Sequence, residues 1–174
     1  MILLVPIGFS ADSELRRLCV LLEPCFHIKV EISPTALDPR PFLDSDRSQY
    51  NSSAIIRRLE RDLPPGHSKV LGVSGLDLFI PILTFVFGEA RLNGRCAVIS
   101  SYRLDNRFYG MPENPGLLRE RLFKEAIHEL GHTFGLVHCR SPECVMRSST
   151  YVEEIDFKSS RFCGSCLQKS GIGL

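Results

Sequence analysis

Residues Ile2 to Ile7 are apolar apart from one proline, the pattern of a buried strand, and from Ser13 to Leu22 the apolar positions Leu15, Leu18, Cys19 and Leu22 recur three or four apart. That spacing predicts a helix with one buried face, ended by Pro24. His27 to Ile32 then alternates polar and apolar, a second strand, so the chain opens β-α-β with a parallel pair and a right-handed crossover. Ser33 to Tyr50 is rich in Pro, Asp and Ser and reads as an irregular surface excursion. Ser52 or Ser53 is a candidate cap for a helix through Leu63, with Ile55, Ile56 and Leu59 apolar and Pro64-Pro65-Gly66 as the stop; Lys69 to Val73 follows as a third strand.

Thr84 to Leu92 and Arg95 to Tyr102 are strand-like runs around Asn93-Gly94, a pair suited to a type I′ turn because both residues tolerate positive φ. Asn114-Pro115 supplies an N-cap and a first-turn proline for a helix through Phe134, whose apolar positions include Leu118, Leu122, Ala126, Ile127 and Leu130. The expectation is an α/β (α+β) fold with a mixed sheet carrying one antiparallel strand.

A chain of 174 residues fits a single domain. The 21 basic and 20 acidic residues nearly balance and are scattered, so no nucleic-acid-binding stripe is expected. No apolar run approaches the roughly 20 residues needed to cross a bilayer, and the apolar start lacks a basic flank and a cleavage site, so the sequence predicts a soluble protein without a membrane role. Seven cysteines without a secretory signal favour reduced thiols and a cytoplasmic location.

Against this background one run stands apart. His128-Glu129-Leu130-Gly131-His132-Thr133-Phe134-Gly135-Leu136-Val137-His138 reads HExxHxxGxxH. Histidines four apart share a helix face and can aim at one Zn²⁺, and the glutamate between them can take a proton from water. Gly135 falls where the helix should end; a left-handed glycine there would bring His138 back as a third ligand and leave a fourth position open for water. An ordinary amphipathic helix can carry HExxH by chance. The GxxH extension has no common structural explanation.

Directly after the third histidine come Cys139, Cys144, Cys163 and Cys166, spaced CxxxxC and then CxxC. Four thiolates complete a closed tetrahedral zinc site; two disulfides are the alternative use of the same residues. Cys19, Cys25 and Cys96 lack metal spacing and read as buried thiols. His27 and His67 are assigned to the sheet and a loop. Tyr109 and Tyr151 are weighed as oxyanion donors and left outside the catalytic set.

The combined pattern, HExxHxxGxxHCxxxxCxM followed by CxxC, is similar to that of the archaemetzincins, a family of zinc peptidases in the metzincin clan. The resemblance implies a metzincin-like single domain, 1–174, with a sheet and active-site-helix part over 1–135 and a smaller C-terminal part over 136–174. It implies a five-stranded twisted sheet whose antiparallel edge, Thr84 to Leu92, pairs with an extended peptide. It also implies two zinc ions, one catalytic on His128, His132 and His138 and one structural on the four cysteines, with Glu129 as general base and Gly135 and Met146 as supports. The expected activity is that of a peptidase or aminopeptidase acting as a monomer on peptide or protein substrates. The rival reading is a zinc-stabilised, non-catalytic protein- or peptide-binding module on the same fold.

Overall fold

The apolar run at the start forms β1 (Ile2–Ile7), which pairs in parallel with β2 (Val30–Ile32) on one side and β5 (Lys69–Ser74) on the other. β8 (Cys96–Ser100) continues the parallel set, and β7 (Gly88–Ala90) closes it antiparallel, giving the order β2-β1-β5-β8-β7. The molecule is a computed structural model that describes residues 1–9, 12–62 and 65–172.

Because strand side chains alternate between faces, this sheet separates two apolar layers. Ile2, Leu4, Leu71, Val73, Ala97 and Ile99 face one layer with α1 (Asp12–Phe26) and α3 (Pro115–Thr133). Leu3, Val5, Ile7, Val70, Cys96 and Val98 face the other with α2 (Ser52–Asp62). The first layer continues without a break into the C-terminal part, reaching Cys144, Val145, Met146, Ile155 and Cys166. There α4 (Val152–Phe157) and α5 (Gly164–Ser170) are short.

Several expectations change. Pro24 does not end α1: the helix runs on to Phe26, which is buried and stacks on Phe134 at 5.4 Å. His27 lies outside the sheet, in a left-handed turn (φ 53°) that redirects the chain into a shorter β2. Ser33 to Tyr50 is not wholly irregular. It contains β3 (Leu43–Asp44) and β4 (Gln49–Asn51), which form a small three-stranded sheet with β6 (Leu78–Phe79). Asn51, not a serine, caps α2 by accepting from the Ala54 amide at 2.9 Å. The Ser52 and Ser53 hydroxyls instead donate to Glu89. The expected end of α2 at Leu63 and Pro64 lies outside the described residues.

The β7–β8 connection is also not type I′. Gly94 N–H closes onto Arg91 O at 2.9 Å, and of the two central residues only Asn93 has positive φ (52°). That is the pattern of a type II turn. The loop is occupied elsewhere: Asn93 N–H donates to His132 O at 2.9 Å, at the end of α3. Lys69 Nζ donates to both Gly94 O (2.7 Å) and Thr133 O (2.6 Å), placing a cation on the carbonyl end of that helix. The α3 start follows its sequence signal, with Asn114 Oδ1 accepting from Leu117 N–H at 3.1 Å.

Lys69→Met keeps the aliphatic stem and removes the ammonium. It should lower stability by about 1–2 kcal/mol in urea unfolding; an unchanged midpoint would show that the cation contributes nothing to holding the helix end.

Candidate active site

Helix α3 carries the first two histidines one turn apart, and its C-terminal turn delivers the third. Gly135 has φ 85°; its N–H donates to His132 O (3.0 Å), and Leu136 N–H donates to Gly131 O (3.1 Å). This pair of bonds is a Schellman ending, which satisfies the last carbonyls and redirects the chain. One ring nitrogen each from His128, His132 and His138 then lies within 4.8 Å of the others.

The ring tautomers follow from the hydrogen bonds. His128 Nδ1 lies 2.8 Å from Val145 O, and His132 Nδ1 lies 2.7 Å from Leu136 O. A carbonyl only accepts, so both Nδ1 atoms carry hydrogen and donate. Burial depresses the basicity of all three histidines, most for His128, with the Lys158 charge adding to the effect. Neutral rings protonated at Nδ1 present lone pairs at Nε2, and those of His128 and His132 face each other at 3.2 Å. Two acceptors so placed fit a shared cation; with Zn–N near 2.0–2.1 Å, a tetrahedral edge is about 3.3 Å.

Glu129 is buried beside them and lines the same cavity of about 320 Å³ as His128 and His138. Burial pushes its carboxyl well above the usual carboxylate range; Glu125 adds to this and the Lys158 ammonium opposes it. A second cavity of about 390 Å³ adjoins the first, sharing Val86, Gly88, Glu129 and His138 with it and adding Ala90, Leu92, His132 and Val137. The histidine cluster thus opens on two lobes that meet along the antiparallel edge. That edge is the three-residue β7, shorter than the expected Thr84 to Leu92.

The four cysteines of the second cluster converge as well, their sulfurs all within 4.8 Å. Cys139 Sγ and Cys163 Sγ are 3.8 Å apart, and Cys144 Sγ and Cys166 Sγ 3.7 Å, so none of the four is disulfide-bonded. A tetrahedron with Zn–S near 2.3 Å has an edge of about 3.8 Å. The Cys166 backbone N–H pulls the Cys163 thiol down to about 7, whereas burial pushes Cys144 and Cys166 up. Cys96 is buried and raised to about 11; Cys19 and Cys25 are only half-buried, a correction to the buried-thiol expectation.

The same fold is found among solved structures. The archaemetzincin of Archaeoglobus fulgidus, solved in complex with malonate, superposes with a TM-score of 0.82 at 36% identity, covering 97% of this chain and 99% of that one. A zinc-dependent peptidase from Methanocorpusculum labreanum gives 0.84 at 29% identity over 98% and 100%. The archaemetzincin of Methanocaldococcus jannaschii is 40% identical over 94% of this chain and 89% of its own length, and the model of peptidase family M54 matches residues 24–170. The chain belongs to the archaemetzincins, peptidase family M54. It is therefore a zinc metallopeptidase, which favours the enzyme over the non-catalytic binding module.

Every sequence-predicted residue of the archaemetzincin pattern lies in one of the two clusters or directly against them. Met146 is fully buried beneath α3, so close to Gly131 that a Cβ there would lie 2.5 Å from Met146 Sδ. Tyr109 is elsewhere, its hydroxyl donating to Arg103 O at 2.9 Å, and Tyr151 is exposed at the start of α4; neither lines the two lobes. Two buried charges were missed: Glu125, which lines the cavity, and Lys158, whose Nζ donates to Glu125 Oε1 at 2.9 Å and to Arg147 O at 3.3 Å. Glu125 had a faint signal as a charge on the inner stripe of an apolar helix; Lys158 had none.

Gly131→Ala should therefore force Met146 away, cost about 1–3 kcal/mol in urea unfolding, and shift the His128 Nδ1 proton resonance as the Val145 carbonyl moves. Wild-type stability with an unmoved resonance would mean that the contact yields freely.

Proposed function

We propose that the chain hydrolyses peptide bonds at a zinc ion held by His128, His132 and His138, with Glu129 as general base. The observation that carries this reading is the pair of inward-facing Nε2 lone pairs 3.2 Å apart, a donor set with its tautomers already fixed for a cation. When bound, zinc supplies a Lewis acid that acidifies a coordinated water and polarises the scissile carbonyl. The Val145 and Leu136 carbonyls hold the two imidazoles in ligand orientation, a role such outer partners commonly play. The Glu129 carboxylate accepts a proton from the attacking water and returns it to the departing amine nitrogen. Gly135 sets the return of His138, and Met146 fills the space under the helix. An extended substrate adds to the β7 edge, with backbone bonds fixing its register and side chains entering the two lobes.

A second, structural zinc on Cys139, Cys144, Cys163 and Cys166 completes the reading, two ions per chain; the near-tetrahedral sulfur spacing supports it. We further propose one domain over 1–174, made of the 1–135 and 136–174 parts, supported by the apolar layer they share. The protein acts as a monomer without nucleic-acid partners, in keeping with its balanced charge. A reducing, cytoplasmic location suits seven unpaired thiols, and no helix among the described residues is long and apolar enough to cross a membrane.

Zinc-loaded protein incubated with a diverse peptide mixture should yield new termini by mass spectrometry. Glu129→Ala should make them about 10²- to 10⁴-fold more slowly; equal rates would reject the glutamate's role, and no products from either, with zinc bound, would reject peptide hydrolysis.

The two metal sites should separate on melting. A closed site contributes folding free energy, so Cys163→Ser should lower Tm markedly, whereas His132→Ala should leave it near wild type and reduce bound zinc from two to one. Equal Tm values for the two variants would refute the division.

A further inference from the structure

Glu125 precedes Glu129 by one turn of α3, and its side chain is only 4% exposed. It nevertheless lines the cavity that holds His128, Glu129 and His138. Its Oε1 accepts from Lys158 Nζ at 2.9 Å, and the Lys158 side chain is itself 1% exposed. Among the described residues Oε2 accepts no hydrogen bond, and it is not one of the sealed, unpartnered polar atoms. A carboxylate this deep is tolerated because Lys158 compensates its charge. What remains is one acceptor oxygen offered to the cavity.

That lobe has an apolar wall and a second, polar one formed by Ser148, Ser149 and Thr150, where the buried Ser149 hydroxyl has no partner among the described residues. Leu83, Phe85 and Phe87 line the apolar wall, the two phenylalanines edge to face with centroids 5.2 Å apart. The lobe therefore suits a side chain with a flat apolar body and a hydrogen-bond donor at its tip. An ammonium or guanidinium meets Lys158 behind Glu125, and in the proposed zinc-loaded site the metal's charge more than offsets the Glu129 carboxylate, so neither carboxylate leaves a net negative charge to pair with. An acidic side chain offers no donor to the free oxygen and, whatever it gains from the serine wall, brings another carboxylate against Glu125 and Glu129. Phenylalanine matches the apolar wall but leaves that oxygen unpaired, and sites built around a buried polar group discriminate strongly against the analogue lacking the partner.

We propose that Glu125, positioned by Lys158, is a specificity-determining residue that selects tyrosine beside the scissile bond. The proposal rests on the peptidase reading and deepens it. Peptides identical except for Tyr or Phe at each of the two positions flanking the cut should differ in kcat/KM about 10-fold or more at one position. In the double variant Glu125→Leu/Lys158→Met, which replaces a buried pair by apolar residues of similar size, the preference should invert while the Phe peptide is still cleaved. Retained cleavage of that peptide shows that the fold and metal site survive.

Equal rates for Tyr and Phe peptides in the wild type, a higher rate for Lys or Glu, or an unchanged ratio in the double variant would overturn the assignment. A separate binding measurement does not depend on turnover, nor on the double variant folding. N-acetyl-tyrosinamide added to zinc-loaded wild type should shift the Glu125 side-chain carboxyl ¹³C resonance, and N-acetyl-phenylalaninamide should not. A shift without any peptide cleavage would sink the peptidase reading and leave the tyrosine site standing; cleavage without a shift would do the reverse.

Discussion

One polar seam along α3, made of several independent contacts, joins the catalytic helix to the C-terminal part of the chain. Arg121, the adjacent pair Lys124 and Glu125, His128 and Gly131 recur three or four residues apart along one stripe, and each meets the C-terminal part of the chain. Arg121 pairs with Asp156 at 2.7 Å and donates to Leu104 O. Lys124 Nζ reaches the Ile155 and Asp156 carbonyls, at the end of α4. Glu125 meets Lys158, His128 meets Val145 O, and Gly131 makes room for Met146. Helix faces turned inward are usually apolar. Here three charged side chains are buried instead, and each is paired with a partner from elsewhere in the chain, Glu125 through one of its two oxygens.

That seam explains why a metal site can be built from two parts of the chain that share no regular pairing. The C-terminal part contributes only short helices and loops, too little surface to define its own position. The bonds from α3 supply the missing register, while the four-cysteine cluster draws 139–144 toward 163–166. His138 lies between the two, one residue from Cys139, so the proposed metal sites share a single peptide unit.

The sequence was most legible where chemistry imposes fixed spacing. The HExxHxxGxxH run, the Gly135 turn, the Asn114 cap and the cysteine spacing all stand in the structure as local patterns predict, because each is decided within one or two turns of chain. What was hidden depends on distant partners. Phe26 extends α1 past Pro24 because its ring packs on Phe134. Strands of two or three residues, as in β3 and β6, are too short to show a period. Asn93 departs from the type I′ expectation because its N–H is claimed by His132 O, thirty-nine positions on. Lys158 carries no local signal because the partner that buries it, Glu125, stands thirty-three positions earlier.

The link between the β7–β8 loop and the end of α3 has a mechanical meaning. Asn93 N–H and the doubly bonded Lys69 ammonium fasten the strand that roofs the cleft to the helix that floors it. These bonds tie the position of the edge strand to that of the helix end, and so set the height of the slot between them. With the proposed edge pairing, such a slot would admit a single extended strand. For a folded protein as substrate, the slow step would then belong to the substrate: cleavage would proceed only as fast as a segment of it frays open, so its susceptibility would measure local unfolding more than side-chain preference.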